Sequence, residues 1–166
     1  MVDLFVTYLE MTSPPSGLAL SPASTGTTIQ REVLDPSQYL ALYRAVGEPL
    51  QWDQRLRMPA DDLRDFLSRS STLVYVLHVE GQAVGFCEFD GVGGAEVELV
   101  HFGLVPAFQG RKLGPCLLDR ALREIWSYAP QRIWLHTDTN DHPKAKSTYQ
   151  RAGFRIYAGR METFPD

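Results

Sequence analysis

The sequence predicts a mixed α/β (α+β) domain, with a mostly antiparallel central sheet that gives way to βαβ units and is flanked by helices. Three observations carry this reading. Residues 72–79 are dense in β-branched and aromatic side chains, Glu80-Gly81 turns the chain, and residues 82–89 bring it back, which is the pattern of a hairpin. A glycine-containing junction at residues 105–114 separates a strand-like segment from a helix-like one. Beyond it, helical and strand periodicities alternate to the end of the chain.

In chain order, residues 2–10 alternate and are rich in β-formers, so they read as a first strand. Residues 12–28 hold Gly, Pro, Ser or Thr at 13 of 17 positions. They read as a long loop, an excursion within one domain spanning residues 1–166 rather than a linker between two. A short strand is expected at about 28–33. Asp35-Pro36 opens a helix with proline in its first turn, Gly47 closes it, and Tyr39, Leu40, Tyr43 and Val46 supply its apolar stripe. A second helix over 60–70 starts at Asp61 and Asp62 and turns Leu63, Phe66 and Leu67 inward. Gly91-Val92-Gly93-Gly94 makes a turn into a strand over 95–105. A helix over 112–127 carries Leu113, Leu117, Leu118, Ala121, Leu122 and Ile125 on one side. Residues 132–137 read as a buried strand, 143–152 as a helix stopped by Gly153, and 154–164 as a last strand. There are no internal repeats.

Sixteen basic side chains against 20 acidic ones leave a net charge of -4. That excludes a general nucleic-acid binder, whose footprint is basic. The charge is uneven: residues 1–105 hold 6 basic and 14 acidic groups, net -8, and residues 106–166 hold 10 and 6, net +4. Either an anionic ligand is drawn to the C-terminal part, or the surface is simply charged unevenly. The two cysteines, Cys87 and Cys116, have no Cys-x-x-Cys spacing and read as free thiols of a cytoplasmic protein. No basic stretch precedes the apolar residues at the N-terminus, so no signal peptide is expected. No apolar run approaches the ~20 residues of a membrane span, so no membrane partner is expected either.

The densest local signal is Gln109-Gly110-Arg111-Lys112-Leu113-Gly114, between a strand and a helix. Glycines let a ligand approach the backbone, N–H groups at a helix start attract phosphate, and Arg111 and Lys112 add positive charge there. The other reading is a turn that only packs strand on helix. The segment is neither a P-loop nor a Rossmann fingerprint, because both glycine spacings are absent. A second pattern follows downstream, with Ala145, Tyr149 and Gly153-Phe154 spaced along a helix and into the next strand.

Together these segments resemble the GNAT superfamily of acetyl-CoA-dependent N-acetyltransferases, over most of residues 95–157. The family's pyrophosphate loop reads Gln/Arg-x-x-Gly-x-Gly/Ala; here Gln109 and Gly114 match, and Lys112 replaces the inner glycine. The family's later helix reads Asn-x-x-Ala-x-x-x-Tyr and is followed by Gly-Phe; here His142 stands in place of the asparagine. The resemblance implies a central strand splayed from its neighbour, acetyl-CoA as cosubstrate, and direct attack by the amine of a small molecule. It places the pyrophosphate on Gln109, Gly110, Arg111, Lys112, Leu113 and Gly114, with His142 beside the cosubstrate. It places the pantetheine arm along Phe102, Gly103 and Leu104, with the Phe102 N–H toward the thioester oxygen. It also allows a homodimer, since many relatives pair through late strands.

The family position for the carboxylate that takes the amine proton is Glu98, 11 residues before Gln109. Glu96 shares its strand face by the period of two and is the reserve. Both are otherwise acids on a solvated face. His101 has the opposite parity unless a bulge intervenes, which makes it a core histidine. Tyr149 occupies the position from which relatives protonate the departing thiolate; the alternative is a buried aromatic on its helix. No metal is expected: His136, Asp138, Asp141 and His142 fit no common zinc spacing, and Asp141 and His142 read better as caps before Pro143. Trp52, Arg55 and Arg57 lie where relatives build the acceptor pocket, or are a packed tryptophan with surface arginines. Acetylation of a protein amine and a non-catalytic acyl-CoA sensor are the rival functions, the latter because of Lys112 and His142.

Overall fold

The computed structural model describes residues 1–22 and 25–165. Positions 23 and 24 of the loop expected over 12–28, and the final residue of the expected domain, lie outside the described residues. The strands are β1 (Val2–Met11), β2 (Thr27–Arg31), β3 (Leu73–Val79), β4 (Gln82–Asp90), β5 (Glu96–Leu104), β6 (Arg132–Asp138) and β7 (Arg155–Phe164). The helices are α1 (Pro36–Gly47), α2 (Ala60–Ser68), α3 (Leu113–Trp126) and α4 (Ala145–Ala152). All seven strands form one open sheet in the order β2-β3-β4-β5-β6-β1-β7. Every pairing is antiparallel except β5 with β6. This is the mixed, mostly antiparallel sheet expected, with one arrangement that local patterns do not encode. The first strand inserts between the two last ones.

The sheet divides two apolar layers. On one face α3 buries Leu113, Leu117, Leu118, Ala121, Leu122 and Ile125, the stripe read from the sequence, in a cluster with Leu9, Val84, Val97, Leu99 and Ile133. On the other, α1 and α2 bury Tyr39, Tyr43, Val46, Leu63, Phe66 and Leu67 with Val74, Val76 and Phe86. Leu42, not Leu40, completes the α1 stripe; Leu40 sits at its margin. Positions 39, 42, 43 and 46 follow the i, i+3, i+4, i+7 rule, and 40 departs from it. Asp35 caps α1 as expected, accepting from the Gln38 N–H while the Gln38 side chain accepts from the Asp35 N–H.

Several boundaries move for identifiable reasons. Helix α4 starts at Ala145 rather than 143. The expected caps are engaged elsewhere: Asp141 accepts from the Thr137 hydroxyl and the Asp138 N–H, and His142 Nδ1 accepts from the Lys144 N–H. Single 3₁₀ turns at 48–50, 55–57 and 106–108 are too short to leave a periodicity. The loop after β1 crosses to α3, where the Leu20 N–H donates to Asp119 and Arg123 donates to the carbonyls of Ser16 and Gly17. Among the described residues no helix is long and apolar enough to cross a membrane.

Strand β5 runs so close beneath α1 that a Cβ added at Gly103 would lie 2.6 Å from Val46 Cγ1 and 3.5 Å from the Trp52 ring. Gly103→Ala should therefore push α1 off the sheet and lower the unfolding free energy by about 1–3 kcal/mol, measured by urea titration.

Candidate active site

Strands β5 and β6 pair only at Glu96 with Arg132, Val97 with Ile133 and Glu98 with Trp134. Beyond those positions the strands part, and among the described residues no strand takes the β6-facing backbone edge of residues 99–104. The splay expected of the central strand is thus present. A cleft of about 1410 Å³ opens there, lined on β5 by residues 99–104 and also by Trp52, Gln109, Gly110, Lys112, Gly114, His142 and Tyr149. That exceeds the roughly 300–1,000 Å³ of an ordinary small-molecule pocket, because the cleft continues along the loop after β1.

At one end of the cleft α3 begins without a side-chain cap, so its first N–H groups stay open. Lys112 is its N-cap residue and holds φ 63°, in the left-handed region that favours glycine. Lys112 therefore holds a backbone conformation that favours glycine, the residue of the family pattern at this position. Gly110, at φ 78°, has nothing within 4 Å of the position a Cβ would take. The Gln109 side chain donates to the Leu104 carbonyl at 3.2 Å and ties the loop to β5. Gly114 lets α3 approach, since a Cβ there would sit 3.3 Å from Leu104. Leu113 is buried in the core and Arg111 lies over the Phe108 ring at 4.9 Å, so neither side chain lines the cleft.

Tyr149 is a packed aromatic that also lines the cleft. Its ring lies 5.8 Å from Phe102 and 5.9 Å from Phe154, and burial pushes its pKa well above that of a free tyrosine. Glu98 sits on the opposite face of the sheet from Tyr149's packing partners. Its carboxylate is 3.9 Å from His136 Nε2, burial raises its pKa, and it does not line the cleft. Glu96 is exposed and bonded to Arg132 at 2.9 Å.

The feature least visible in the sequence is a buried polar cluster on the cleft wall. β4 pairs Glu88 with His101 and then Phe89 with Leu99, which leaves Val100 as an extra residue in β5. The bulge reverses parity, so His101 joins Glu98 on the α1 side. Glu88 is fully buried. It accepts from the Tyr39 hydroxyl, from Arg55 Nη2 at 2.5 Å, and from His101 Nδ1 at 3.1 Å. Burial alone would raise its pKa, but His101, Arg55 and Tyr39 together hold it down at about 2. The Trp52 ring lies 4.9 Å from His101 and that of Tyr43 5.1 Å, and the Trp52 N–H reaches Asp141 at 3.3 Å. Arg55 is thus a buried ion-pair partner rather than a surface arginine, whereas Arg57 is exposed and bonded to Asp53 at 2.5 Å. The one sequence signal for this cluster was a glutamate inside the apolar run Phe86-Cys87-Glu88-Phe89.

The chain belongs to the GNAT family of acetyltransferases, whose family model matches residues 39–154. No curated protein sequence matches it significantly. Solved structures share its fold at low identity. One is a GCN5-related N-acetyltransferase from Sphaerobacter thermophilus (TM-score 0.64, 20% identity, 94% of this chain and 49% of that one). Another is a tandem GNAT protein from the clavulanic acid biosynthesis pathway (TM-score 0.67, 16% identity, 96% and 53%). A third is an aminoglycoside acetyltransferase from an uncultured soil metagenomic sample (TM-score 0.64, 14% identity, 76% and 87%). The chain spans about half the length of the first two.

Because a side chain at positive φ costs about 1 kcal/mol or more relative to glycine, Lys112→Gly should raise the midpoint of urea unfolding by a corresponding amount. An unchanged or lowered midpoint would mean that the lysine stabilises the fold through its side chain.

Proposed function

We propose that the chain transfers an acetyl group from acetyl-CoA to a primary amine of a small molecule by direct attack. The observation that carries this reading is the convergence of two features on one cleft: the unpaired edge of β5 and the uncapped start of α3. The free backbone groups of Phe102 and the Leu104 N–H, which alternate with the β4-bonded groups of Gly103, suit the pantetheine amides, as an added strand would. A backbone N–H there, that of Phe102, suits the developing thioester oxyanion. The pyrophosphate suits the N–H groups of residues 110–114 and the positive end of the α3 dipole, with Lys112 and His142 at the rim. Lys112 then supplies charge at a position where relatives have only backbone. Arg111 and Leu113 contribute main chain, and Gln109 holds the loop in place.

The chemistry needs one proton removed from the amine and one delivered to the thiolate. Tyr149 is the donor: burial keeps it protonated, and the same burial makes a thiolate formed beside it a stronger base. Glu98 receives the amine proton through an intermediary, since its carboxylate stands outside the cleft. Asp53, Asp138 and Asp141 line the cleft and suit a cationic acceptor, in keeping with the fold likeness to an aminoglycoside acetyltransferase. The free, buried thiols of Cys87 and Cys116 suit a reducing, cytoplasmic setting.

Calorimetric titration should show acetyl-CoA binding more tightly than acetyl-dephospho-CoA. No heat at millimolar acetyl-CoA would overturn the reading. With an amine acceptor found by thiol release, Tyr149→Phe should lower kcat by about 100-fold while the acetyl-CoA Kd stays unchanged. Glu98→Gln should lower kcat with the same unchanged Kd.

A further inference from the structure

We propose that His101, oriented by the buried Glu88, is the group that takes the proton from the acceptor amine in the cleft. The inference rests on the acetyl-transfer reading and names the intermediary that Glu98 requires. Four observations carry it. His101 lines the cleft, although only 8% of it is exposed. Its Nδ1 lies 3.1 Å from a Glu88 oxygen, and a carboxylate there assigns the ring proton to Nδ1. Its Nε2 has no hydrogen-bond partner among the described residues, which leaves that lone pair free to accept a proton. Finally, the bulge at Val100 puts His101 and Glu98 on one face of β5.

The arrangement has the logic of an orienting carboxylate behind an imidazole: Glu88 fixes the tautomer and stabilises the imidazolium once it forms. Glu88 is itself held by Arg55 and Tyr39, and the Trp52 and Tyr43 rings clamp the His101 ring. The ionisable groups around His101 are therefore Glu88 from β4, Tyr39 and Tyr43 from α1, Arg55 from the 55–57 turn, and Glu98 on β5. In the reaction Nε2 accepts one proton from the ammonium ion and gives it up to solvent on the strand face it shares with Glu98. The free amine forms the C–N bond and the C–S bond breaks. Tyr149 protonates the thiolate and recovers a proton from the amide nitrogen. Ammonium ion and acetyl-CoA thus yield amide, CoA and one released proton.

The test is the pH profile of kcat/KM for His101→Gln beside wild type, with acetyl-CoA binding measured by calorimetry on both. The expected result is an unchanged acetyl-CoA Kd and a loss of about 100-fold near pH 7. The loss should shrink as pH approaches the pKa of the amine, where free amine no longer needs a base. A variant as active as wild type near pH 7, or one with a loss equal at every pH, would overturn the role of His101 and leave acetyl transfer standing. A wild-type protein that acetylates no amine would instead overturn the reading on which the role rests. Tyr39→Phe, which keeps the ring, tests Glu88 without removing it. With one donor fewer, Glu88 binds the imidazolium more strongly, and the acidic limb of the profile should move to higher pH. A limb that stays in place would sever Glu88 from the reaction.

Discussion

Strand β5 has to be a hydrogen-bonded member of the sheet along one edge and an open ledge along the other, and the cleft depends on that division. Its antiparallel partner β4 holds it along nearly its whole length, while β6 accompanies it for three residues only. An unpaired strand edge inside a protein is costly unless something satisfies its polar groups. Part of the answer is intramolecular, since Gln109 covers the Leu104 carbonyl. The rest of the edge is open to what enters the cleft. The close approach of α1 over Gly103 and of α3 at Gly114 pins the ledge from both faces, so that it stays in place while unpaired.

The elements were legible because each rests on local physics: the 80–81 turn, the Asp35 cap, the α3 stripe and the Gly153 stop. The insertion of β1 between β6 and β7 was not, since no property of residues 2–11 names their partners. Those residues pair with others more than a hundred positions away. The late start of α4 was hidden for a related reason. Asp141 and His142 have the chemistry of caps, but the end of β6 and the turn before the helix engage them first.

The site divides the same way. The loop at 109–114 was readable because strand, glycine turn and helix start are contiguous in sequence. Lys112 departs from the pattern, yet it holds the left-handed backbone that favours glycine. His101 was placed by parity alone, which put it on the wrong face. A single extra residue at Val100 moves it to the α1 side, and a bulge leaves no mark in the pattern of one strand when its partner is unknown. Arg55 looked like a surface arginine because its partner, Glu88, is 33 positions away.

The buried cluster also bears on how the two halves of the cleft are related. A carboxylate, a guanidinium and two polar rings in a wall of Phe86, Val74 and Val76 cost desolvation that a set of apolar side chains of equal volume would avoid. Their attraction offsets that cost only if every partner stays in place, which makes the cluster rigid. Its outlet to the cleft is the His101 ring, gripped by Trp52 and Tyr43. Trp52 in turn reaches Asp141 on the far side of the seam, in the segment that leads into α4 and Tyr149. A displacement of Asp141 would thus be felt at His101 through one indole ring. The proposed proton acceptor, His101, and the proposed donor, Tyr149, are linked through the packing of Trp52 and the turn that holds Asp141.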